Sequence, residues 1–169
     1  MTWTAFWIGI AILGFVTLQR LIELRLAERN SKRLLAEGAK EHAAGHYPFL
    51  VAIHMAWLAA LWWWAPGRPV DVPLLLLFAA LQVGRIWVIA TLGRRWTTRI
   101  IVLPGAPLVR SGPYRYLSHP NYVIVTAEIA VLPLVFGLVE IAVAFSILNL
   151  AVLAVRIPQE NKALDRLRR

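Results

Sequence analysis

The stretch YVIVTAEIAVLPLVFGLVEIAVAFSILNLAVLAV, Tyr122–Val155, is a long apolar run with an interruption near its middle. A membrane-spanning helix needs only about 20 apolar residues, so this run is too long for a single crossing. Pro133, Gly137 and Glu140 interrupt it, and proline disfavours the continuation of a helix. The stretch therefore predicts two short helices that form a hairpin.

The rest of the composition also indicates a membrane protein. The chain has 169 residues, of which 59% are apolar, and a mean hydropathy of +0.63, whereas soluble domains are nearer half apolar. Three further spans are predicted at Thr2–Gln19, Tyr47–Ala65 and Pro73–Gly93, with Arg85 as their only acidic or basic residue. The N-terminus lacks a basic segment and an obvious cleavage site, so we expect the first span to be a retained helix.

Basic residues cluster in three segments and predict the topology. Arg20–Lys40 holds six of them, Arg94–Arg115 five and Arg156–Arg169 five, out of 18 in the chain. Basic loops stay on the cytoplasmic side, so five spans with an outside N-terminus place all three clusters inside. The net charge of +9 is explained by this orientation and by attraction to anionic lipids. We expect no nucleic-acid binding, and we expect a bacterial inner (plasma) membrane as the location.

Cysteines are absent, which excludes disulfides and thiolate metal sites. His42 and His46 are four apart and would share one face of a helix. Glu41 is the only nearby acid, so solvated histidines are favoured over a zinc site, and no metal is expected. His54, inside the second span, is expected to hydrogen-bond a neighbouring helix, and a functional role is the alternative.

The first helix is predicted to continue beyond Gln19 as an amphipathic cytoplasmic arm, because leucines and charged residues interleave there at helical spacing. Trp57 and Trp62–Trp64 are expected to anchor the second span at the outer membrane boundary.

Two charged residues within the spans need partners. Arg85 lies near the middle of the third span, and Glu128 lies about two turns into the fourth helix. An ionised group at this depth needs a partner or a wet cavity. Two alternatives are open: Arg85 and Glu128 bind substrate in a polar cavity, or they form an ion pair that only fixes helix packing.

A proline-broken loop precedes the apolar run. Pro104 and Pro107 cannot continue a helix, so Arg94–Asn121 is predicted to be a mostly irregular cytoplasmic loop. A loop of this length is uncommon unless it binds something. Both ends of a helical hairpin emerge on the same face, so polar residues before and after the hairpin are expected to line one cavity: Tyr114, His119, Pro120, Tyr122, Arg156, Glu160 and Asn161.

These residues resemble a motif of the isoprenylcysteine carboxyl methyltransferase-like family of integral membrane proteins. The motif is a glycine, a tyrosine and Arg-His-Pro-x-Tyr, followed after two helices by an arginine and a glutamate. In this chain the resemblance covers roughly Trp96–Leu164, and the matching residues are Gly112, Tyr114, Ser118-His119-Pro120-Asn121-Tyr122, Arg156 and Glu160.

Three residues depart from the family's pattern. Ser118 stands where the family usually has arginine, Asn161 where a second glutamate often follows, and Ala106 where prenylcysteine enzymes tend to carry histidine. These departures argue against a prenylcysteine substrate more than against S-adenosylmethionine, the cofactor that the family uses.

The resemblance implies an S-adenosylmethionine-dependent methyltransferase that O-methylates a carboxylate or a phenol or enol. The acceptor is expected to be a lipophilic small molecule that arrives sideways from the bilayer. Arg156 and Glu160 are the predicted catalytic residues, with Arg156 orienting the acceptor or the cofactor carboxylate. A carboxylate acceptor needs no base, whereas a phenol or enol would use His119 or Glu160. The predicted cofactor-binding residues are Leu108, Val109, Tyr114, His119, Pro120, Tyr122 and Glu160.

The predicted fold is an all-α integral membrane protein with five transmembrane helices, the last two a short hairpin, and a C-terminal interfacial helix. Residues 1–93 form three spans and the amphipathic arm, and residues 94–169 form the catalytic loop, the hairpin and the C-terminal segment. One alternative is an NADPH-dependent membrane ene reductase, although such proteins generally have more spans and no glycine-rich dinucleotide fingerprint is present here. Another is a non-enzymatic membrane adaptor or small transporter, in which the basic residues and tyrosines serve only as a headgroup-binding tail and an aromatic belt.

Overall fold

The computed structural model describes residues 3–165. Most of them lie in five helices: α1 (Trp3–Ala36), α2 (Tyr47–Trp64), α3 (Val72–Leu92), α4 (Pro120–Val135) and α5 (Val139–Asp165). Two short strands complete the fold: β1 (Lys40–His42) and β2 (Ile100–Val102).

The helices make this an integral membrane protein. Within residues 3–165, four helices (α1, α2, α3 and α5) are long and apolar enough to cross a membrane, and α4 is a shorter apolar helix of 16 residues. Large apolar side chains such as Leu76, Ile86 and Ile147 are more than 60% exposed on their outer faces. Such a surface requires lipid to cover it. The count of five crossings, the hairpin arrangement and the division of the chain at residue 93 stay predictions.

The interruption in the long apolar run separates α4 from α5. The two helices pack on each other and are joined by Phe136–Leu138, where Gly137 adopts a positive φ of 66° that favours glycine. The second helix is not short, because α5 has 27 residues and continues through Pro158. A separate C-terminal interfacial helix was also predicted. This is wrong for the residues described, because α5 continues to Asp165 without a break. The expected basic tail at 166–169 lies outside the described residues.

A small antiparallel β pair is the exception to the all-α prediction. Lys40 lies opposite Val102, and His42 lies opposite Ile100. His42 is therefore in an extended strand, so the idea that it shares a helical face with the histidine four residues later is wrong. The loop 94–121 is also less irregular than predicted, because it contains β2 and a single helical turn at Gly112–Arg115. The β-branched residues of β2 pack on Ala163 of α5, which ties the loop to the last helix.

The main apolar core brings together residues from all five helices. Leu13 and Leu61 are fully buried, and Leu132 and Phe136 complete the α4 side. Trp57 also belongs to this core: it is only 2% exposed, and its indole N–H donates to the Ile129 carbonyl at 3.2 Å. Its predicted role as an interfacial anchor is therefore wrong, because this face of α2 is turned toward α4. Residues 62–64 are exposed tryptophans, as anchoring requires.

The predicted arm is the C-terminal half of α1, which continues as one helix to Ala36. Its buried face carries Ala27, Asn30 and Leu34. The Asn30 amide donates to the backbone carbonyls of Gly93 and Trp96, at 3.1 and 2.8 Å. The arm therefore fixes the start of the loop that follows α3.

Candidate functional site

A cavity of about 780 Å³ lies between the helices and the loop 94–121. Four of the five helices contribute several lining residues each, and α3 contributes Arg85 and Leu92. Its volume is in the range of small-molecule sites. Two polar groups of residues lie along it. We call the first the tyrosine–arginine cluster (His119, Tyr122, Arg156, Glu160 and Asn161) and the second the charged cluster (Arg20, Glu23, Arg85 and Glu128).

The tyrosine–arginine cluster is held together by Tyr122 in the first turn of α4. Its phenol O–H donates to the Glu160 carboxylate. Arg156, which is buried, donates from Nε to the Tyr122 oxygen at 2.7 Å, and its guanidinium lies 5.6 Å from the centre of the Tyr122 ring. Arg156 and Glu160 are one turn apart on α5 and so face the same way. The structure thus brings together the two sets of residues that flank the apolar run in sequence.

His119, which immediately precedes α4, completes this cluster. Its ring stacks on Tyr122 with centroids 5.3 Å apart and planes inclined by 20°. A hydrogen bond of 3.1 Å joins His119 Nε2 to Asn161 Oδ1, and His119 Nδ1 lies 3.9 Å from a Glu160 oxygen. Asn161, at a position where the family pattern often has a glutamate, is therefore a hydrogen-bond partner of the histidine.

Thr98 was missed by the sequence reasoning. Arg156 Nη2 donates to its backbone carbonyl at 2.7 Å, and its hydroxyl is 3.0 Å from the Tyr47 hydroxyl of α2. One loop residue therefore connects α2 with the arginine of α5. A backbone carbonyl acceptor leaves no signal in the side-chain pattern, so motif analysis cannot find it.

Gly112 explains the glycine of the motif. Its φ is +54°, and a Cβ atom there would lie 2.5 Å from the Thr91 hydroxyl oxygen of α3. Glycine thus lets the turn Gly112–Arg115 lie directly on α3. Tyr114 in this turn lines the cavity. Burial, and then the negative charge of Glu160, raise the pKa of the Tyr114 phenol, which keeps it neutral.

The predicted cofactor-binding residues are distributed unevenly. Leu108 and Val109 line the cavity, together with Tyr114 and the members of the tyrosine–arginine cluster. Pro120 does not line it: this residue is fully buried and begins α4, a position that suits proline. Their binding roles stay predictions.

The polar groups that line the cavity fit S-adenosylmethionine. Asn121 Oδ1 is a buried acceptor without a hydrogen-bond partner within residues 3–165, next to a cavity that the same side chain lines. An amino group of a ligand satisfies such an acceptor. Four cations that can hold a carboxylate also line the cavity: Arg95, Arg99, Arg110 and Arg115. In the part of the chain that is described, no three or more His, Cys, Asp or Glu residues are grouped to hold a metal ion.

The charged cluster confirms the predicted contact of Arg85 with Glu128 and enlarges it. Arg85 Nη1 lies 2.9 Å from Glu128, while its Nε and Nη2 each lie 2.6 Å from the Glu23 carboxylate. Arg20 contacts both carboxylates, Glu23 at 2.9 Å and Glu128 at 2.7 Å. Two arginines and two glutamates neutralise each other, which is the geometry of the ion-pair alternative.

Two glutamines also hydrogen-bond within this cluster, but Arg20 Nε has no hydrogen-bond partner within residues 3–165. Gln82 donates to Glu128 at 2.8 Å, and Gln19 donates to Gln82 at 2.7 Å. Arg20, Glu23 and Arg85 line the cavity, whereas Glu128 lies behind them. A substrate-binding role for Arg85 and Glu128 stays a prediction. Sequence reasoning missed Arg20 and Glu23 because both were assigned to the cytoplasmic arm, although their spacing of three places them on one helical face.

His54 of α2 lines the same cavity. Its Nδ1 lies 2.8 Å from the carbonyl of Leu50, one turn earlier in its own helix. The expectation that it bonds a neighbouring helix is therefore wrong.

Comparison with known proteins identifies relatives. Residues 74–166 match the model of the isoprenylcysteine carboxyl methyltransferase (ICMT) family. The chain is 34% identical to the uncharacterized protein YpbQ of Bacillus subtilis (strain 168), over 95% of this chain and 96% of that protein. It is 29% identical to an uncharacterized protein of Haemophilus influenzae (strain ATCC 51907 / DSM 11121 / KW20 / Rd), over 88% of this chain and 90% of that protein. No solved structure matches it.

Proposed function

The chain belongs to the isoprenylcysteine carboxyl methyltransferase family, which indicates a membrane methyltransferase, and on this premise we propose that it O-methylates a lipophilic acceptor with S-adenosylmethionine. The observation that carries the proposal is the hydrogen-bonded chain Arg156–Tyr122–Glu160 on the wall of a cavity of cofactor size. The acceptor atom is an oxygen of a carboxylate, a phenol or an enol.

The residues that would hold the cofactor surround the hydrogen-bonded group Arg156–Tyr122–Glu160. The rings of Tyr114, His119 and Tyr122 offer faces for adenine and for the positive sulfonium. Asn121 Oδ1 supplies an acceptor for an amino group, and the arginines of the loop supply cations for the carboxylate. When bound, the cofactor supplies an electrophilic methyl group on a positively charged sulfur.

Arg156 and Glu160 then have distinct tasks. Arg156 is fixed by the Tyr122 oxygen and the Thr98 carbonyl, so its position in the cavity is set before any ligand binds. It orients an acceptor oxygen or the cofactor carboxylate. Glu160 accepts from Tyr122 and offers a second carboxylate oxygen for a proton or an ammonium group. A positive donor and an anionic acceptor lose charge together in methyl transfer, and a dry pocket favours such a transition state.

The acceptor reaches the cavity from the bilayer. Leu24 of α1 and Met55 of α2 both line the cavity, and they are 42% and 60% exposed on the molecular surface. Both side chains are apolar, so this part of the wall suits a hydrocarbon chain arriving from the side. The changes at Ala106, Ser118 and Asn161 further favour a lipophilic small molecule over a prenylated protein.

The proposed orientation places the cavity mouth in the cytoplasm. The basic residues cluster in the C-terminal half of α1, around β2 and from Arg156 of α5 onward, and basic segments stay inside. An outside N-terminus, a cytoplasmic C-terminus and the bacterial inner membrane follow from this rule.

Ligand titration tests the proposal. The purified protein in lipid nanodiscs is titrated calorimetrically with S-adenosylhomocysteine and, separately, with NADPH. We expect saturable binding of S-adenosylhomocysteine alone. Binding of NADPH alone would indicate the ene reductase, and binding of neither would indicate an adaptor or transporter.

A labelling experiment then identifies the acceptor class. Membranes that contain the protein are incubated with methyl-labelled S-adenosylmethionine, and the lipid extract is separated. We expect one labelled lipophilic product that is missing with the variant Arg156→Ala. Label that appears only in protein would contradict a small-molecule acceptor.

A further inference from the structure

The inner part of the cavity contains an acceptor nitrogen that the proposed chemistry has not used. His54 lies in the middle of an apolar stripe of α2, because Leu50 and Leu58, one turn before it and one turn after it, line the same cavity. Two further apolar residues of α2, Val51 and Met55, also belong to this wall. The imidazole is therefore a polar group placed within a surface suited to hydrocarbon.

The hydrogen bond to Leu50 determines which imidazole nitrogen is available. A carbonyl oxygen only accepts, so Nδ1 of His54 carries the proton that it donates at 2.8 Å. In the neutral ring the other nitrogen, Nε2, then presents a lone pair. Within residues 3–165, Nε2 has no hydrogen-bond partner. The ligand group that complements it must donate a hydrogen bond.

The charged cluster close to His54 selects against an anionic ligand. Arg20, Arg85 and Glu128 are near enough to His54 to interact with it electrostatically. Both arginines are already paired with carboxylates, although Arg20 Nε is a buried donor without a hydrogen-bond partner within residues 3–165. A carboxylate at this end would bring an unpaired negative charge and would face the lone pair of Nε2. A neutral hydroxyl has neither disadvantage.

The position of this end suits the acceptor and not the cofactor. Glu128 is six residues beyond Tyr122 on α4, so the charged cluster lies roughly 9 Å deeper along that helix than the tyrosine–arginine cluster. The exposed cavity residues Leu24 and Met55 lie on the helices next to this deeper end. A ligand with a hydrocarbon tail in the bilayer can therefore bring its polar head to His54.

We propose that His54 Nε2 accepts a hydrogen bond from the hydroxyl of the methyl acceptor, and that the acceptor is an alkyl-chain phenol or enol rather than a carboxylate. This assignment of the hydroxyl as the methylated group rests on the methyltransferase function proposed above. In the transfer the O–H bond breaks and its proton passes to Nε2. The oxygen bonds to the methyl carbon, and the electron pair of the carbon–sulfur bond stays on sulfur. Nε2 then releases this proton to water.

Binding measurements without any methyl donor test this subsite. Protein in nanodiscs is titrated with 4-dodecylphenol, with 4-dodecylanisole, which has no hydroxyl proton, and with 4-dodecylbenzoate, and empty nanodiscs correct for partitioning. We expect the phenol to bind roughly 5- to 10-fold more tightly than the anisole, the effect of one hydrogen bond, and more tightly than the benzoate. Equal affinity for phenol and anisole, or tighter binding of the benzoate, would overturn the proposal.

Two substitutions of His54 assign the effect to Nε2. In His54→Asn the amide N–H replaces the Nδ1 donor to Leu50, but the Nε2 acceptor is lost. The variant should therefore bind the phenol and the anisole with about equal affinity. In His54→Gln an amide oxygen reaches the position of Nε2, and part of the preference should return. An undiminished preference in His54→Asn overturns the assignment.

S-adenosylhomocysteine binding separates this proposal from the proposed function. Both His54 variants should bind it like the wild type, because its residues belong to the other end of the cavity, and this result shows that they are folded. If no form of the protein binds it, the methyltransferase proposal fails. The comparison of phenol with anisole still decides whether the hydroxyl subsite exists.

Discussion

The charged cluster and the tyrosine–arginine cluster both pair arginine with glutamate, yet they are built differently. In the charged cluster the arginines contact the carboxylates directly, and the side chains of Arg85 and Glu128 are 7% and 1% exposed. In the other cluster the neutral Tyr122 lies between Arg156 and Glu160, and Glu160 is 25% exposed. In the charged cluster the carboxylate oxygens are all hydrogen-bonded to neighbouring side chains. In the tyrosine–arginine cluster polar atoms remain available to a ligand. Substitutions in the two clusters should therefore have different consequences.

The largest effect is expected from Glu128→Ala. This change leaves Arg85 and Arg20 with one carboxylate fewer in a buried site, and such unpaired charge costs about 3–5 kcal/mol. We expect a large fall in the thermal unfolding midpoint in detergent. Glu28→Ala, which breaks an exposed ion pair with Lys32 on α1, is the control and should leave the midpoint unchanged. A stable Glu128→Ala protein that has lost only activity would instead support the substrate-binding role.

The next effect concerns function in the other cluster. Arg156→Ala and Glu160→Gln should each lower turnover by roughly 10²–10³-fold, the usual loss when one positioned polar group is removed from an active site. Both proteins should remain folded, because the cavity lets water solvate what is left. The measurement is methyl transfer together with thermal unfolding. Lys162→Ala, an exposed cation on the same helix, should retain activity, and equal losses in all three variants would favour a simple basic tail.

A backbone substitution next tests how the tyrosine–arginine cluster is held. Gly112→Ala places a methyl group 2.5 Å from the Thr91 oxygen at a positive φ, which should cost about 1–3 kcal/mol and weaken S-adenosylhomocysteine binding. Gly105→Ala also has a positive φ, but its Cβ would meet nothing within 4 Å. It should therefore cost less and leave binding intact. Equal effects of the two variants would show that the contact with α3 is unimportant.

The smallest effect is a pH dependence. The pKa of Tyr114 is raised by burial and by Glu160, so the folded protein holds the neutral phenol while the unfolded chain ionises above its ordinary pKa of about 10. Stability from this residue is complete below pH 10 and declines as the pH rises further. Thermal unfolding should show a steeper loss above pH 10 in wild type than in Tyr114→Phe. The exposed Tyr116 provides the control, since Tyr116→Phe should follow the wild-type curve.

Much of the fold and part of each cluster could be predicted from the sequence. Hydropathy alone located the helices, because a bilayer requires long apolar segments with internally satisfied backbones. The order of Tyr122, Arg156 and Glu160 around an apolar run was enough to predict that they meet, since consecutive helices return to the same side. The contact of Arg85 with Glu128 followed from the cost of leaving either charge alone.

The other features could not be predicted, because they depend on packing between elements that leaves no periodic pattern in the sequence. Glu23 was missed because a glutamate near a membrane end normally faces water, and only the neighbouring α3 shows that it faces Arg85. The strands β1 and β2 have three residues each, too few for an alternating pattern to be detected. Thr98 and Leu50 act through backbone carbonyls, which every residue possesses.

The proline at position 158 gives the last helix a mechanical property. Pro158 has no N–H to donate to the carbonyl of Ala154, so α5 lacks the backbone hydrogen bond of the turn that contains Arg156. Proline inside a helix is a common site of bending. A small tilt of the turns after Pro158 would change the distance between the fixed guanidinium of Arg156 and the partly exposed carboxylate of Glu160.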